Sequence, residues 1–279
     1  NGGFRKMEIY IPDNKNENDA LASTTHLGVS AHQDDIEIMA YDGILQCLGR
    51  QDKNFAGVVV TNGSGSARSG MYANYTDEEM MKVRKREQKK AAFIGEYSAQ
   101  IFLEYKSSDV KNPDNTGVVE DLKRVIEKTK PDYIYTHNLA DKHDTHVGVT
   151  LKLIRALREL KYVPKAVYGC EVWRSLDWMC DEDKVKFNVS GHDNLAAALL
   201  GVFDSQIAGG KRYDAATAGR RMANATYSES HEVDTATSLM YAMDLTPLVA
   251  DCSLDIKEFV LEYINKFAES VAKKIGGLV

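Results

Sequence analysis

Two short segments of this chain carry side chains able to do hydrolytic chemistry. One is His32-Gln33-Asp34-Asp35-Ile36-Glu37 and the other is Asp141-Lys142-His143-Asp144-Thr145-His146. If a helix opens at each, His32 and Asp35 stand three residues apart and turn toward one point, as do His143 and His146. Asp34 is rotated off that line and is free for another task. Two imidazoles and one carboxylate, with a position left for water, make a catalytic zinc site. Zinc draws the pKa of a bound water toward ~7 and polarises a carbonyl, and Asp34 then takes the water's proton as general base. Each segment alone has a bland reading. A His-x-x-Asp at a strand end also caps a helix or forms a salt bridge, and a single Asp-x-His-x-x-His is a weak motif. Both together, on strand ends that face one crevice, point to a metal site.

The surrounding pattern supplies those strand ends. His26 to Ala31 reads as a buried strand followed by a helix carrying Ile36, Ile38, Met39, Ile44 and Leu48. Phe55 to Thr61 is a second strand, entering the Gly/Ser-rich loop Asn62 to Gly70. Thr76-Asp77-Glu78-Glu79 has the form of a capping box, and its helix ends near Gly95. A third strand spans Ala99 to Tyr105, a helix Thr116 to Lys130 stops at Pro131, and a fourth strand covers Tyr133 to His137. A helix from about Thr145 to Leu160 follows. Four alternations of strand and helix predict a Rossmann-like, doubly wound, mostly parallel sheet with helices on both faces. Ligands of such sheets bind beyond the carboxyl ends of the strands, where both segments fall. Past Val167 the pattern is less regular, with strands near Val167 to Trp173 and Val185 to Val189, a helix from Asp193 to Gly209-Gly210, and a last helix from Leu254 to Ile275. The expected organisation is an arm over residues 1–25 and one α/β domain over 26–279, its catalytic core near 26–160 and a C-terminal elaboration beyond.

Bulk composition fits that reading. The 279 residues are 43% hydrophobic and 27% charged, ordinary for a soluble globular protein. A formal net charge of -6 argues against nucleic acid as a partner. No run approaches the roughly 18 apolar residues of a membrane span. Cys47, Cys170, Cys180 and Cys252 are scattered without a CxxC pair, which suggests a reducing, cytoplasmic setting. The chain opens Asn1-Gly2-Gly3 rather than Met, as a tag scar or a processed segment leaves it.

The motifs also resemble a known family. Ala31-His32-Gln33-Asp34-Asp35-Ile36-Glu37 is similar to the Ala-His-Pro-Asp-Asp-Glu hallmark of the PIG-L/LmbE zinc de-N-acetylases. Asp141 to His146 resembles that family's Asp-Arg-His-Pro-Asp-His, and Thr61-Asn62-Gly63-Ser64-Gly65 with Arg84-Lys85-Arg86-Glu87 and Ala91-Ala92 resembles its third region. The resemblance runs from about His26 to Leu160 in the same order and spacing. It implies one zinc ion per chain held by His32, Asp35 and His146, with Asp34 as general base. It further implies His143 as the cation that steadies the oxyanion, and removal of acetyl groups from N-acetylglucosamine-type conjugates. Three departures stand out: Gln33 replaces Pro, Lys142 replaces Arg, and Thr145 occupies the place of an Asp that pairs with the catalytic His. Asp141 or Asp144 is expected to take over that last role.

Other residues have paired readings. Met80, Val83, Glu87, Ala91 and Ile94 form one helical stripe with Arg84 beside Glu87. A carboxylate on a buried face needs a partner, so Arg84 serves either as a structural ion pair to Glu87 or as a contact for substrate hydroxyls. The resemblance leans to the second. Gly63-Ser64-Gly65 offers Ser64 as a substrate contact, although Gly-x-Gly alone is weak. Tyr72 and Tyr75 read equally as sugar-site or ordinary loop aromatics, Trp173 and Trp178 as core, and His137 as support behind the metal.

The expectation is a zinc-dependent hydrolase of a small N-acetylated substrate, with self-association suggested only by the family's habit and the last helix. Two rivals are a non-catalytic metal- or sugar-binding module, which Thr145 would favour, and a non-haem iron enzyme, which shares the two-His, one-carboxylate set. An intact Asp34 opposes both.

Overall fold

The computed structural model describes residues 7–279. Apolar runs such as Phe55–Thr61, buried along their whole length, become the strands of one sheet. In chain order these are β1 (Glu8–Tyr10), β2 (His26–Ser30), β3 (Phe55–Thr61), β4 (Ala99–Tyr105), β5 (Tyr133–His137), β6 (Ala166–Cys170), β7 (Val185–Asn188) and β8 (Leu239–Asp244). Their lateral order is β1-β4-β3-β2-β5-β6-β8-β7. The central strands β4-β3-β2-β5-β6 are parallel, with His26 beside both Phe55 and Tyr133. β1 and β8 add antiparallel to the two sides, and β7 pairs antiparallel with β8.

Alternate residues of each strand feed opposite faces, so one strand serves two cores. Val58 and Val60 join Leu27, Val29, Ile101 and the helices Gly117–Thr129 and Asp144–Leu160 on one side. Val59 joins Ile36, Met39, Phe55, Phe102 and Tyr97 on the other. This is the mostly parallel, two-faced α/β arrangement expected from the alternation.

The chain works outward from β2 through β3 to β4, then crosses back to β5 on the far side of β2. The strand order reverses between β2 and β5, the place where parallel sheets hold ligands. Both chemical segments leave from these two strand ends.

Several expectations are corrected. Residues 1–6 of the expected arm, with the Asn1-Gly2-Gly3 opening, lie outside the described residues. The rest of it is structured: Glu8–Tyr10 pairs with β4, and Asn16 caps a helix Glu17–Ala22 by accepting from the amides of Asn18 and Asp19. That helix buries Ala20 and Leu21, which the polar stretch before them hides from view. The helix after β2 is divided at Ala40, where φ is −112°, into Asp35–Met39 and Tyr41–Cys47. The helix expected from Asp193 to Gly209 likewise breaks into Asp193–Gly201 and Asp204–Ile207. β8 escapes prediction because Met and Ala carry little strand preference; pairing with β6 and β7 creates it. All four cysteines are free. No helix among the described residues is long and apolar enough to cross a membrane.

Candidate active site

The chain leaving β2 turns at Asp34, which has φ 87° and ψ −26°, a left-handed conformation unusual for a residue with a side chain. Such strain persists only where the surroundings enforce it. Here the helix Asp77–Ile94 does so, with two residues four apart on one face. Gln88 Oε1 accepts the Asp34 amide at 3.2 Å. Arg84 donates to the Gln33 carbonyl at 2.5 Å and to Asp34 Oδ2 at 2.9 Å. Gln33, in place of proline, is buried and donates to the Thr61 carbonyl at 3.0 Å, tying the turn to β3. Gly63 closes this corner with φ 77°, and a Cβ there would fall 2.7 Å from Gln33 Oε1.

Beyond the turn three donor atoms converge. His32 Nδ1 and His146 Nε2 are each 3.3 Å from Asp35 Oδ2, and 3.1 Å from one another. Ligands bonded to zinc at ~2.0–2.1 Å in a tetrahedron are themselves about 3.3 Å apart, so this trio fits a zinc ion in both chemistry and spacing. His143 brings a further nitrogen within 4.8 Å of those of His32 and His146.

Burial opposes the charge of Asp35, but His146, His32 and His137 outweigh it and hold the carboxyl well below the usual range. Asp34 behaves oppositely: burial dominates over the Arg84 charge and pushes it up to about 6. His146 is disfavoured as a cation by burial, yet Asp35 and Asp141 raise it overall. Asp141 Oδ1 stands 3.3 Å from His146 Nδ1 and also accepts the His143 amide at 2.9 Å. Its other oxygen accepts the Trp173 amide at 3.0 Å, joining the loop after β5 to the loop after β6.

His137 is fully buried and stacked 3.9 Å from His146. Its Nε2 accepts the Ala31 amide at 2.9 Å, so that lone pair is spent on the backbone. His143 Nδ1 accepts the Thr145 amide at 3.3 Å and caps the helix Asp144–Leu160. That leaves its proton on Nε2. Burial, reinforced by His32 and His146, lowers the His143 pKa. Both effects disfavour the cation that the resemblance implied.

Two other expectations change. Asp144 is exposed at the first turn of its helix and touches neither histidine ring, so Asp141 alone approaches the cluster. Ser64 does not line the cavity, because an Asn62 turn, with the Ser64 amide on Asn62 Oδ1 at 3.0 Å, carries it aside while Gly63, Gly65 and Ser66 face in. Arg84 lines the cavity yet is also paired with both Asp34 and Glu87.

The cavity over the cluster measures about 440 Å³ and is bordered by Asn62, Ser66, Ser107, Lys111, Lys211, Trp173 and Tyr213. Trp173, expected in the core, is a wall of this cavity and of a neighbouring one of about 250 Å³. Tyr72 and Tyr75 lie apart from it, Tyr72 donating to Asp204 at 2.6 Å. The sequence reading missed Gln88, Ser205 and Tyr213. Glu87 accepts from both the amide and the hydroxyl of Ser205, at 2.8 and 2.7 Å, which anchors the C-terminal elaboration to the Arg84 helix. No local signal marks such a partner 118 residues away.

The chain is similar in fold to several solved proteins. N,N'-diacetylchitobiose deacetylase from Pyrococcus horikoshii aligns with a TM-score of 0.64 at 13% identity, over 88% of this chain and 92% of that one. The 4-carboxy-2-hydroxymuconate hydratase GalB from Pseudomonas putida KT2440 aligns at 0.61 and 17% identity, over 80% and 96%. The zinc-inhibited form of teicoplanin deacetylase Orf2 aligns at 0.53 and 12% identity, over 78% and 97%. No curated protein matches the sequence. The sequence profile of the PIG-L family, described as GlcNAc-PI de-N-acetylase, matches residues 27–157, the stretch that holds β2, β5 and the whole His/Asp cluster. Over that stretch, 131 of the 279 residues, the chain is similar to the PIG-L family.

Proposed function

We propose that this protein hydrolyses the N-acetyl amide of an amino-sugar conjugate, using one zinc ion held by His32, Asp35 and His146. The observation that carries this reading is the trio of donor atoms 3.1–3.3 Å apart, with a second carboxylate, Asp34, left beside it and not needed as a ligand. A zinc ion bound there supplies a Lewis acid that polarises a carbonyl and acidifies water.

The remaining steps belong to the chain. Asp34, pushed up to about 6 and held by Arg84, is placed to take a proton from water and release it again. The water oxygen bonds to the acyl carbon, the C–N bond breaks, and the nitrogen leaves as an amine carrying a proton. His143 presents Nε2–H toward the oxygen that gains negative charge, where a fixed donor acts most strongly. Asn62, Ser66 and Ser107 offer polar contacts, and Trp173 and Tyr213 offer ring faces, as a sugar requires. Thr145 does not leave His143 without orientation, since its own amide binds Nδ1.

The fold alone does not choose the reaction, because a hydratase shares it. A binding module or a non-haem iron enzyme has no use for a base beside its metal. The test is metal analysis together with acetate release from N-acetylglucosamine conjugates, for wild type and Asp34→Asn. We expect about one zinc per chain in both and a loss of turnover of roughly 10²–10⁴-fold in the variant. Equal release by the two proteins, or a preparation active without metal, overturns the mechanism.

A further inference from the structure

The helix Ile256–Gly276 meets the rest of the protein mainly through its first turns. Ile256, Phe259 and Tyr263 pack against the core, and Lys266 reaches Glu182 and Asp183 at 3.1 and 2.7 Å. From Ile264 onward every residue is exposed. A lone helix shorter than about 12–15 residues is marginal in water, so this half of the helix lacks the packing that ordinarily sustains one.

Its apolar residues follow a strict repeat. Leu261, Ile264, Ala268, Val271 and Ile275 are spaced three, four, three and four, and Leu278 continues the series. That is the narrow seam of a two-stranded coiled coil, not the broad stripe of a helix lying on a globular core. The seam is turned away from the face carrying Phe259 and Tyr263, and Val271 and Ile275 are 40% and 57% exposed. No charged residue interrupts it between Leu261 and Ile275. Glu258, Glu262, Lys266, Glu269 and Lys273 all fall on the opposite side of the helix.

We propose that a second copy of this chain covers this seam, the two helices running antiparallel about a two-fold axis. Ile264 of one copy then faces Ile275 of the other, and Ala268 faces Val271, each layer repeated by the axis. A parallel pair would instead set Ala268 against Ala268 and leave a gap at mid-seam. The exposed surface of the seam, with Leu278 and the flanking Phe267 included, is on the order of 600 Å² per copy, about three quarters of the roughly 800 Å² each partner gives to a standard stable interface. It lies at the upper end of the 300–600 Å² or so that the largest patch of a typical monomer spans, and patches of that size are often functional. A lipid surface is the poorer occupant, because helices that lie on membranes carry a strongly basic polar face, and here Glu258, Glu262 and Glu269 offset three of the four lysines, Lys257, Lys266, Lys273 and Lys274.

The test is the solution mass of the full, zinc-loaded chain by sedimentation equilibrium, for wild type, Val271→Glu and Glu262→Lys. Val271 is exposed in the single chain, so near-ultraviolet circular dichroism should show the fold intact in Val271→Glu. We expect a two-chain mass for wild type and for Glu262→Lys. Val271→Glu should associate at least about a hundredfold more weakly, since two carboxylates would enter an apolar layer. A one-chain mass for wild type at high micromolar concentration overturns the proposal, as does a two-chain mass for Val271→Glu. Co-sedimentation of one-chain wild type with anionic vesicles would instead give the seam to a membrane surface.

Discussion

Replacing Arg84 with Met should reveal which buried carboxylate depends on it. Arg84, Asp34 and Glu87 are 2%, 4% and 2% exposed, and the guanidinium serves both acids. Removing one member of a buried charged set costs about 3–5 kcal/mol, because the partner is stranded away from water. The two acids are not equally stranded. Glu87 keeps two donors from Ser205, whereas the Asp34 carboxylate has no other hydrogen-bond donor among the described residues. Most of the loss should therefore sit on Asp34. Adding Asp34→Asn to Arg84→Met should recover about 2 kcal/mol, while adding Glu87→Gln should recover less than about 1 kcal/mol. Urea unfolding of the zinc-loaded proteins, followed by circular dichroism, measures all four. A loss below about 1 kcal/mol for Arg84→Met, the scale of a surface pair, refutes the reasoning. So does rescue by Glu87→Gln without rescue by Asp34→Asn.

Three further outcomes are expected. Burial, with Lys53 and Lys165 adding to it, lowers His26 to about 4, below the ~6.5 of an unfolded histidine. Between those values the unfolded chain binds a proton that the folded one does not, so stability falls by up to about 3 kcal/mol as pH drops from ~6.5 to ~4. His26→Phe keeps the stacking on Tyr133 and should flatten that part of the urea-midpoint profile; parallel profiles for the two proteins would count against it. Asp141→Asn should weaken zinc about 10–100-fold through the loss of the His146 contact, as read by competition with a chromophoric chelator. An unchanged affinity would remove Asp141 from the metal's support. Chelation should lower the melting temperature and zinc restore it, the ion contributing about 4 kcal/mol at a thousandfold excess over its Kd. Magnesium should not substitute at a site with two imidazole donors, and equal recovery with magnesium would argue for another ion.

Much of the framework is local and was legible in order along the chain. The bounds of β3, β4 and β5 follow from apolar runs punctuated by Gly, Pro and polar residues, and the Thr76–Glu79 capping box forms as its spacing predicts. The meeting of His32 with Asp35 was expected from i, i+3 spacing at a helix start, but the helix begins only at Asp35; the left-handed turn at Asp34 brings the two together, with the His32 amide donating to Asp35 Oδ2 at 2.7 Å. Tertiary structure decided the rest. The left-handed backbone of Asp34 exists because Arg84 and Gln88 grip it from another helix. The choice of Asp141 over Asp144 depends on where the loop after β6 docks, and the burial of Glu87 on Ser205 far along the chain. His137 looks like a ligand by type, yet its lone pair is taken by the Ala31 amide across the β2–β5 switch point. Short-range spacing dictates which side chains share a face. Their charge, strain and freedom to react are set by hydrogen bonds and burial that only distant segments supply.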